Sequence, residues 1–277
     1  MIEIRSCRGF DELEACVQLE IETWGYDASE IIPRKAFVVA QKIGGQVIGA
    51  FDSSISGKKD APEAQSIVGF AMSLPGVKTG HGDPEAYLHS HMLAVHEGYR
   101  DRGLGAQLKR AQRSEALSRG IRHMEWTFDP LEIKNAYLNI HRLGAIVCRY
   151  EENFYGVSSS RLQGGLPTDR LFAEWRLDSP RVQARLEERP AAKYISEERI
   201  QARIRVPASI YEWKASDRDR ERALAVQLEN RAKFQDAFAR GLAVIGFTRD
   251  AEGNGVFELG CLSPAEETQR PKERKSL

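Results

Sequence analysis

The sequence is poor in cysteine, has no long apolar run and carries no surplus of either charge, and each lack removes a class of function. Its four cysteines, Cys7, Cys16, Cys148 and Cys261, are scattered and form no C-x-x-C pair. That argues against a disulfide-stapled scaffold and reads as reduced thiols in a cytoplasmic protein. No stretch approaches the roughly 20 apolar residues of a membrane span, and the first residues, MIEIRSCRGFDELE, are charged from the third onward without an apolar signal core. Lys plus Arg and Asp plus Glu balance at 40 each, so no net field draws the chain to nucleic acid or to an anionic membrane. What remains is 277 residues with 42% hydrophobic and 29% charged content. This composition expects a soluble globular chain of one large domain or two small ones, at roughly 100–200 residues per domain.

Ile2 and Ile4 alternate with polar neighbours and predict a first strand. Asp11-x-x-Glu14 resembles a capping box, and Leu13, Val17, Ile21 and Trp24 then mark one face of a helix ending at Gly25. A second helix opens at Pro33 and runs through Gln41. Strands follow at Val47–Phe51, Ile67–Leu74 and Tyr87–Val95, the first two joined by a loop over 56–64. A helix from Leu104 to about Arg119, a strand at Met124–Phe128, a helix at Lys134–Leu143 and strands at Ile146–Tyr155 and Leu171–Leu177 complete the order β-α-α-β-β-β-α-β-α-β-β. The expected domains are residues 1–178, a charged helical connector at 179–202, a smaller α+β segment at 203–265 and a flexible tail at 266–277. In that segment a helix from Asp217 to Arg240 places Leu224, Leu228, Phe234 and Phe238 inward.

The richest chemistry lies between the Tyr87–Val95 strand and the Leu104 helix. Arg100-x-x-Gly103-x-Gly105 combines arginines with residues that lack a Cβ at a strand-to-helix turn. Backbone N–H groups can close on an anion there, and the new helix points its positive dipole end at the same place. The pattern reads as a phosphate cradle, with Arg100, Arg102, Gly103, Leu104 and Gly105 as its residues.

With this order of elements, the turn resembles that of the GNAT superfamily of acyl-CoA-dependent N-acyltransferases across roughly the first 175 residues. Arg100, Gly103 and Gly105 match the family's Q/R-x-x-G-x-G/A motif. More narrowly, Tyr87-Leu88-His89-Ser90-His91-Met92-Leu93-Ala94-Val95, with Trp126–Leu131 and Asn135–Asn139, resembles a group of these enzymes with a C-terminal extension. The resemblance implies an α/β GNAT fold, a mixed, mostly antiparallel sheet flanked by helices. It implies acetyl-CoA or another acyl-CoA, such as succinyl-CoA, as donor, with pyrophosphate on the turn and pantetheine along the backbone of Leu93, Ala94 and Val95. The implied acceptor is a small-molecule primary amine such as an amino acid. A protein or peptide amine, or a non-catalytic acyl-CoA sensor, are the alternatives. No metal, nucleic acid or membrane partner is expected, and the C-terminal segment suggests a homodimer contact or a lid.

Amide formation from a thioester needs a neutral amine, a donor for the developing oxyanion and a proton for the thiolate. His89 lies fourteen residues before Gly103, the spacing at which histone-acetylating members carry their strand base. His91, on the same face by strand alternation, is a second base or a substrate contact. A metal reading of His89-x-His91 with His81 or His96 lacks carboxylate or thiolate ligands. Many members place a tyrosine four residues before the glycine that ends the next helix, where it protonates the thiolate. Here that position is Ile140, which leaves Tyr137, one turn earlier, His141 or water. Asn135 and Asn139 are candidates for the pantetheine amides, and Trp24 for the acceptor pocket. Asp129, before Pro130, is read as a helix cap or a substrate contact.

Overall fold

In the computed structural model, which describes residues 1–55, 66–79, 84–188, 195–263 and 266, helices and strands follow the expected order. The chain divides into two units, residues 1–124 with 159–161, and residues 125–158 with 162–277. The predicted loop at 56–64, His81, part of the connector and the tail beyond 266 lie outside the described residues.

In the first unit β1 (Ile2–Ser6), β2 (Gln46–Asp52), β3 (Ile67–Lys78) and β4 (Glu85–Val95) lie in that order, each antiparallel to the next. Alternating side chains supply both faces. Val47, Phe51, Phe70 and Met72 meet α1 (Gly9–Trp24) and α2 (Arg34–Lys42), while Ile48, Ala50, Val68 and Ala71 meet α3 (Leu104–Ser118). Helix α1 starts two residues before the predicted capping box. Arg8 is its N-cap, and the Glu12 carboxylate, also paired with Arg5 at 2.8 Å, accepts the Arg8 N–H at 2.6 Å. Its end is the expected one, since Gly25 takes a left-handed φ of 62° and donates its N–H to Ile21 O.

Strand β4 departs from strict alternation. Met72 and Leu74 are two steps apart on β3, but their partners Met92 and His89 are three apart on β4. One extra residue therefore bulges from β4. Past the bulge Leu93 and Val95 pack toward α3. Before it, His89 stands opposite Leu74, which packs on the α1–α2 side.

The second unit holds the remainder of β5 (His123–Phe128) with β6 (Ile146–Glu151), β7 (Arg170–Arg176), β8 (Ala202–Val206), β9 (Ala243–Arg249) and β10 (Gly255–Gly260). Their order is β5-β7-β6-β9-β10-β8, and the pairs β6–β7, β6–β9, β9–β10 and β10–β8 are antiparallel. Both units therefore carry the open, mostly antiparallel sheet with flanking helices that was expected. The C-terminal strands extend the sheet of β6, with Val244 opposite Val147. Among the described residues of the connector, α5 (Pro180–Leu186) and a single 3-10 turn are helical.

Helix α7 (Arg220–Ala239) buries Ala223, Gln227, Asn230, Phe234 and Ala237. Of the expected stripe Phe234 is buried, Leu224 and Phe238 are half-buried and Leu228 is 45% exposed. Gln227 and Asn230 occupy inward positions because their amides donate to Pro167 O at 2.8 Å and Arg205 O at 3.0 Å. The same helix supplies Arg231, whose Nε and Nη2 grip the two oxygens of fully buried Asp169 at 2.9 and 3.0 Å. Tyr150 and the Asn153 N–H complete that carboxylate's partners. Arg231→Ala strands a buried charge and is expected to cost about 3–5 kcal/mol. Urea unfolding measures it, and a loss below about 0.5 kcal/mol would refute the pairing as a structural tie.

Candidate active site

The turn after β4 has a backbone suited to an anion. Gly103 is the N-cap of α3 with φ +77°, no side chain caps the helix, and a Cβ built on it would meet nothing within 4 Å. The first turn of α3 thus has no side-chain cap for its N–H groups, and the space beside the Gly103 Cα is open. Asp101, two residues earlier, is also left-handed at φ 60°, a conformation costing a non-glycine residue roughly 1–2 kcal/mol. Arg100 folds back so that its Nε donates to Val95 O at 3.1 Å, and Arg102 lies over the Tyr99 ring at 5.3 Å. Tyr99 in turn donates to Asp52 at 2.7 Å, tying the turn to the end of β2. Gly105 lies in the first turn of α3 and Leu104 is buried beneath it. These residues fit an anionic diphosphate: an unblocked helix start, space that a side chain would fill, and two arginines alongside.

Upstream on β4, the His89 and His91 rings lie 6.1 Å apart. Burial, then the neighbouring His89, lowers the His91 pKa below the usual imidazole value. His91 is therefore neutral at pH 7, the form that accepts a proton. His96 is engaged locally, its Nδ1 accepting the Gly98 N–H at 3.2 Å. Among the described residues, no three His, Cys, Asp or Glu side chains are grouped to hold a metal ion.

On the His89 side of the first unit, Trp24 packs against the α1–α2 core cluster and stacks with Tyr26, centroids 5.9 Å apart at 12°. The turn carrying them is strapped by Ser159–Arg161. Asp27 N–H donates to Ser159 Oγ at 2.8 Å, Ser159 N–H to Glu30 at 2.6 Å, and Arg161 N–H to Trp24 O at 3.2 Å. Two polar groups that sequence reasoning missed lie on this side of α1. Glu20 Oε1 accepts the Ile32 N–H at 2.9 Å, while Glu20 Oε2 and Thr23 Oγ1 are buried without a hydrogen-bond partner among the described residues. The signal was present, for Leu13, Cys16, Val17 and Glu20 follow i, i+3, i+4, i+7 with a carboxylate inside the apolar stripe.

Burial pushes Glu20 up to about 7, against the pull of the Ile32 N–H. A carboxyl whose folded pKa is raised contributes stability that is complete below its unfolded value near 4.5 and lost as pH rises through about 7. Glu20→Gln should therefore be more stable than the parent at pH 8, by about 1–3 kcal/mol, with the gain gone at pH 4. Urea midpoints at the two pH values measure this, and an equal difference at both would refute it.

The other sequence candidates lie in the second unit. Asp129 Oδ1 accepts the Leu131 N–H at 2.8 Å, as a cap does, and Oδ2 takes Lys214 Nζ at 2.8 Å; Lys214, on α6 (Ile210–Ala215), also reaches Glu132 at 2.9 Å. Burial would lower the Lys214 pKa, but the Asp129 and Glu132 charges raise it above the usual range. The predicted helix at 134–143 is α4 (Ile133–Ala136) continuing as a π-helical stretch, Tyr137–Arg142, in which Leu143 N–H reaches back five residues to Leu138 O. Counting four back from Gly144 assumes an unbroken α-helix, and this stretch is not one. Ile140 is wholly buried. Tyr137 is half-buried, stacked on His141 at 4.5 Å, with the Arg249 guanidinium 4.8 Å over its ring. Asn139 is buried and Asn135 is exposed, so of that pair only Asn135 is open to a ligand.

Residues 13–138 match the model of the acetyltransferase (GNAT) family. The matched span contains the bulged strand, the glycine turn and Tyr137. Among solved structures, that of Arabidopsis thaliana NAA60 with acetyl-CoA is 14% identical, covers 65% of this chain and 100% of its own, and has a TM-score of 0.51. The same plant protein with a bisubstrate analogue is 16% identical over 63% of this chain and 97% of that one, at 0.50. The Escherichia coli ribosomal-protein-S18-alanine N-acetyltransferase is 16% identical over 65% and 96%, at 0.48. At these identities the NAA60 structures establish a common fold. A search of curated protein sequences gives no match.

Proposed function

We propose that the chain is an acyl-CoA-dependent N-acyltransferase that moves an acetyl or succinyl group to the primary amine of a small molecule such as an amino acid. The observation that carries this reading is the uncapped, glycine-opened start of α3, directly after the bulged strand that bears His89 and His91. The family match over the same span supports it.

In this reading the α3 amides at Gly103–Ala106, with Arg100 and Arg102, hold the CoA pyrophosphate, and the β4 backbone over Leu93–Val95 aligns the pantetheine. His89 takes a proton from the acceptor ammonium, and His91, neutral at pH 7, relays or substitutes. A β4 N–H near Leu93 polarises the thioester carbonyl. The amine nitrogen bonds to that carbon, the carbon–sulfur bond breaks, and the thiolate takes a proton from Tyr137 or water, which is made good by the proton that the nitrogen gives up as it becomes an amide. Asp129, already committed to Leu131 and Lys214, serves the protein's own structure.

Thiol release from acetyl-CoA and succinyl-CoA with a panel of amino acids, polyamines and peptides tests the reading. Amine-dependent release on a small amine supports it. Release on peptides alone moves the acceptor to proteins, and acyl-CoA binding with no turnover on any amine makes the domain a sensor.

A further inference from the structure

Lys109 is a charge-bearing side chain that the proposed chemistry does not use, and it lies only 2% exposed on the inner face of α3. Its Nζ donates to Ser90 Oγ at 2.7 Å, and Ser90 Oγ donates to Gln112 Oε1 at 3.0 Å. Ser73 Oγ donates to Gln46 Oε1 at 3.0 Å, and Gln46 Nε2 donates to Gln112 O at 2.9 Å. All five residues are buried, and they join β2, β3, β4 and α3 at one level. That level is the bulge: Ser73 lies between Met72 and Leu74, and Ser90 lies between their partners His89 and Met92.

We propose that Lys109, acting through Ser90, is a positioning residue that fixes the β4 bulge and with it the presentation of His89 and His91. Burial pushes its amine well below the usual lysine range, so an apolar residue of the same length would occupy the place at less cost. An expensive group kept at the single register shift between β3 and β4, behind the two histidines, fits a site where geometry outweighs stability. A bulge redirects the side chains around it, and one bond from α3 to the bulged segment removes its freedom to slip. The histidines flank Ser90 in sequence and Lys109 reaches the strand through its bond to Ser90, so its effect is on orientation. This rests on the reading of the histidines as the site's bases.

Lys109→Met and Ser90→Ala test it, each read four ways: thermal midpoint, acetyl-CoA affinity, kcat on the best amine, and NMR titration of the His89 and His91 rings. Lys109→Met is expected to melt at or above the parent temperature and to bind acetyl-CoA within about twofold. It should lose roughly tenfold or more in kcat, with displaced histidine titrations; Ser90→Ala shows the same kinetic and titration changes. A residue that only supports the fold would lower melting temperature and activity together. The proposal is overturned if either folded variant keeps full kcat, or if kcat falls while both histidine titrations match the parent. If the parent turns over no amine, the proposed activity fails on that count alone, and the titrations still decide whether Lys109 orients the histidines.

Discussion

His89→Ala is expected to lower kcat on the acceptor amine by about two to four orders of magnitude, with acyl-CoA affinity within about twofold. The size follows from the chemistry, since near neutral pH a primary amine is almost entirely protonated, and only its neutral form attacks a carbonyl. A positioned base both removes that proton and spares the reaction a solvent-borne hydroxide. His89 sits before the bulge, opposite Leu74 and on the α1–α2 side, away from the α3 turn proposed to take the phosphates. Donor binding and proton removal are thus assigned to separate residues, and the variant should separate them. With the His91 ring 6.1 Å away, some activity is expected to remain, and His89→Ala with His91→Ala together should fall further. Steady-state kinetics over pH 6–9 measure both, and a His89→Ala enzyme within threefold of the parent (a free-energy difference of only about 0.6 kcal/mol) would remove His89 from the mechanism.

Gly103→Asp is expected to weaken acyl-CoA binding on the order of a hundredfold or more. Space is open around the Gly103 Cα, so a small side chain meets no clash there. Left-handed strain at φ +77° adds roughly 1–2 kcal/mol, a cost aspartate meets better than most residues. The carboxylate would instead cap the amides of α3, taking the donors a phosphate needs and adding repulsion to a dianion. Gly103→Asn separates the contributions, since it tolerates the same φ without the charge and should lose much less. Calorimetric titration with acetyl-CoA gives the affinities, and melting curves should show both variants folded. Equal affinity in Gly103→Asp and the parent would place the donor elsewhere.

The strand, turn and helix of the candidate site were legible in the sequence because their signals are local. The strand, the turn and α3 are contiguous, and glycine at a strand-to-helix junction carries its conformational meaning with it. The same holds for Gly25 and for Pro33 ahead of α2, where backbone chemistry alone ends or begins an element. The bulge was invisible because it is a relation between β3 and β4, and strict alternation puts Leu93 on the face of His89 rather than toward α3. The π-helical stretch at Tyr137 was missed for a related reason, since a change of helical period leaves no residue pattern of its own. The stripe of α7 was right at Phe234 and wrong at Leu228 because Gln227 and Asn230 look solvent-facing until the carbonyls of Pro167 and Arg205 are brought to them. Glu20 and Lys109 were readable as polar residues within apolar stripes of α1 and α3, yet only burial shows what they cost.

The claim on which the rest depends is that the start of α3 binds the donor's pyrophosphate. Amide shift mapping on the 15N-labelled chain titrated with acetyl-CoA tests it most directly. Saturable shifts are expected, centred on Gly103–Ala106 and extending along Leu93–Val95, with the Gly103 response lost in Gly103→Asp. Saturable binding that leaves those amides unmoved, or no binding at millimolar acetyl-CoA and succinyl-CoA, would contradict it.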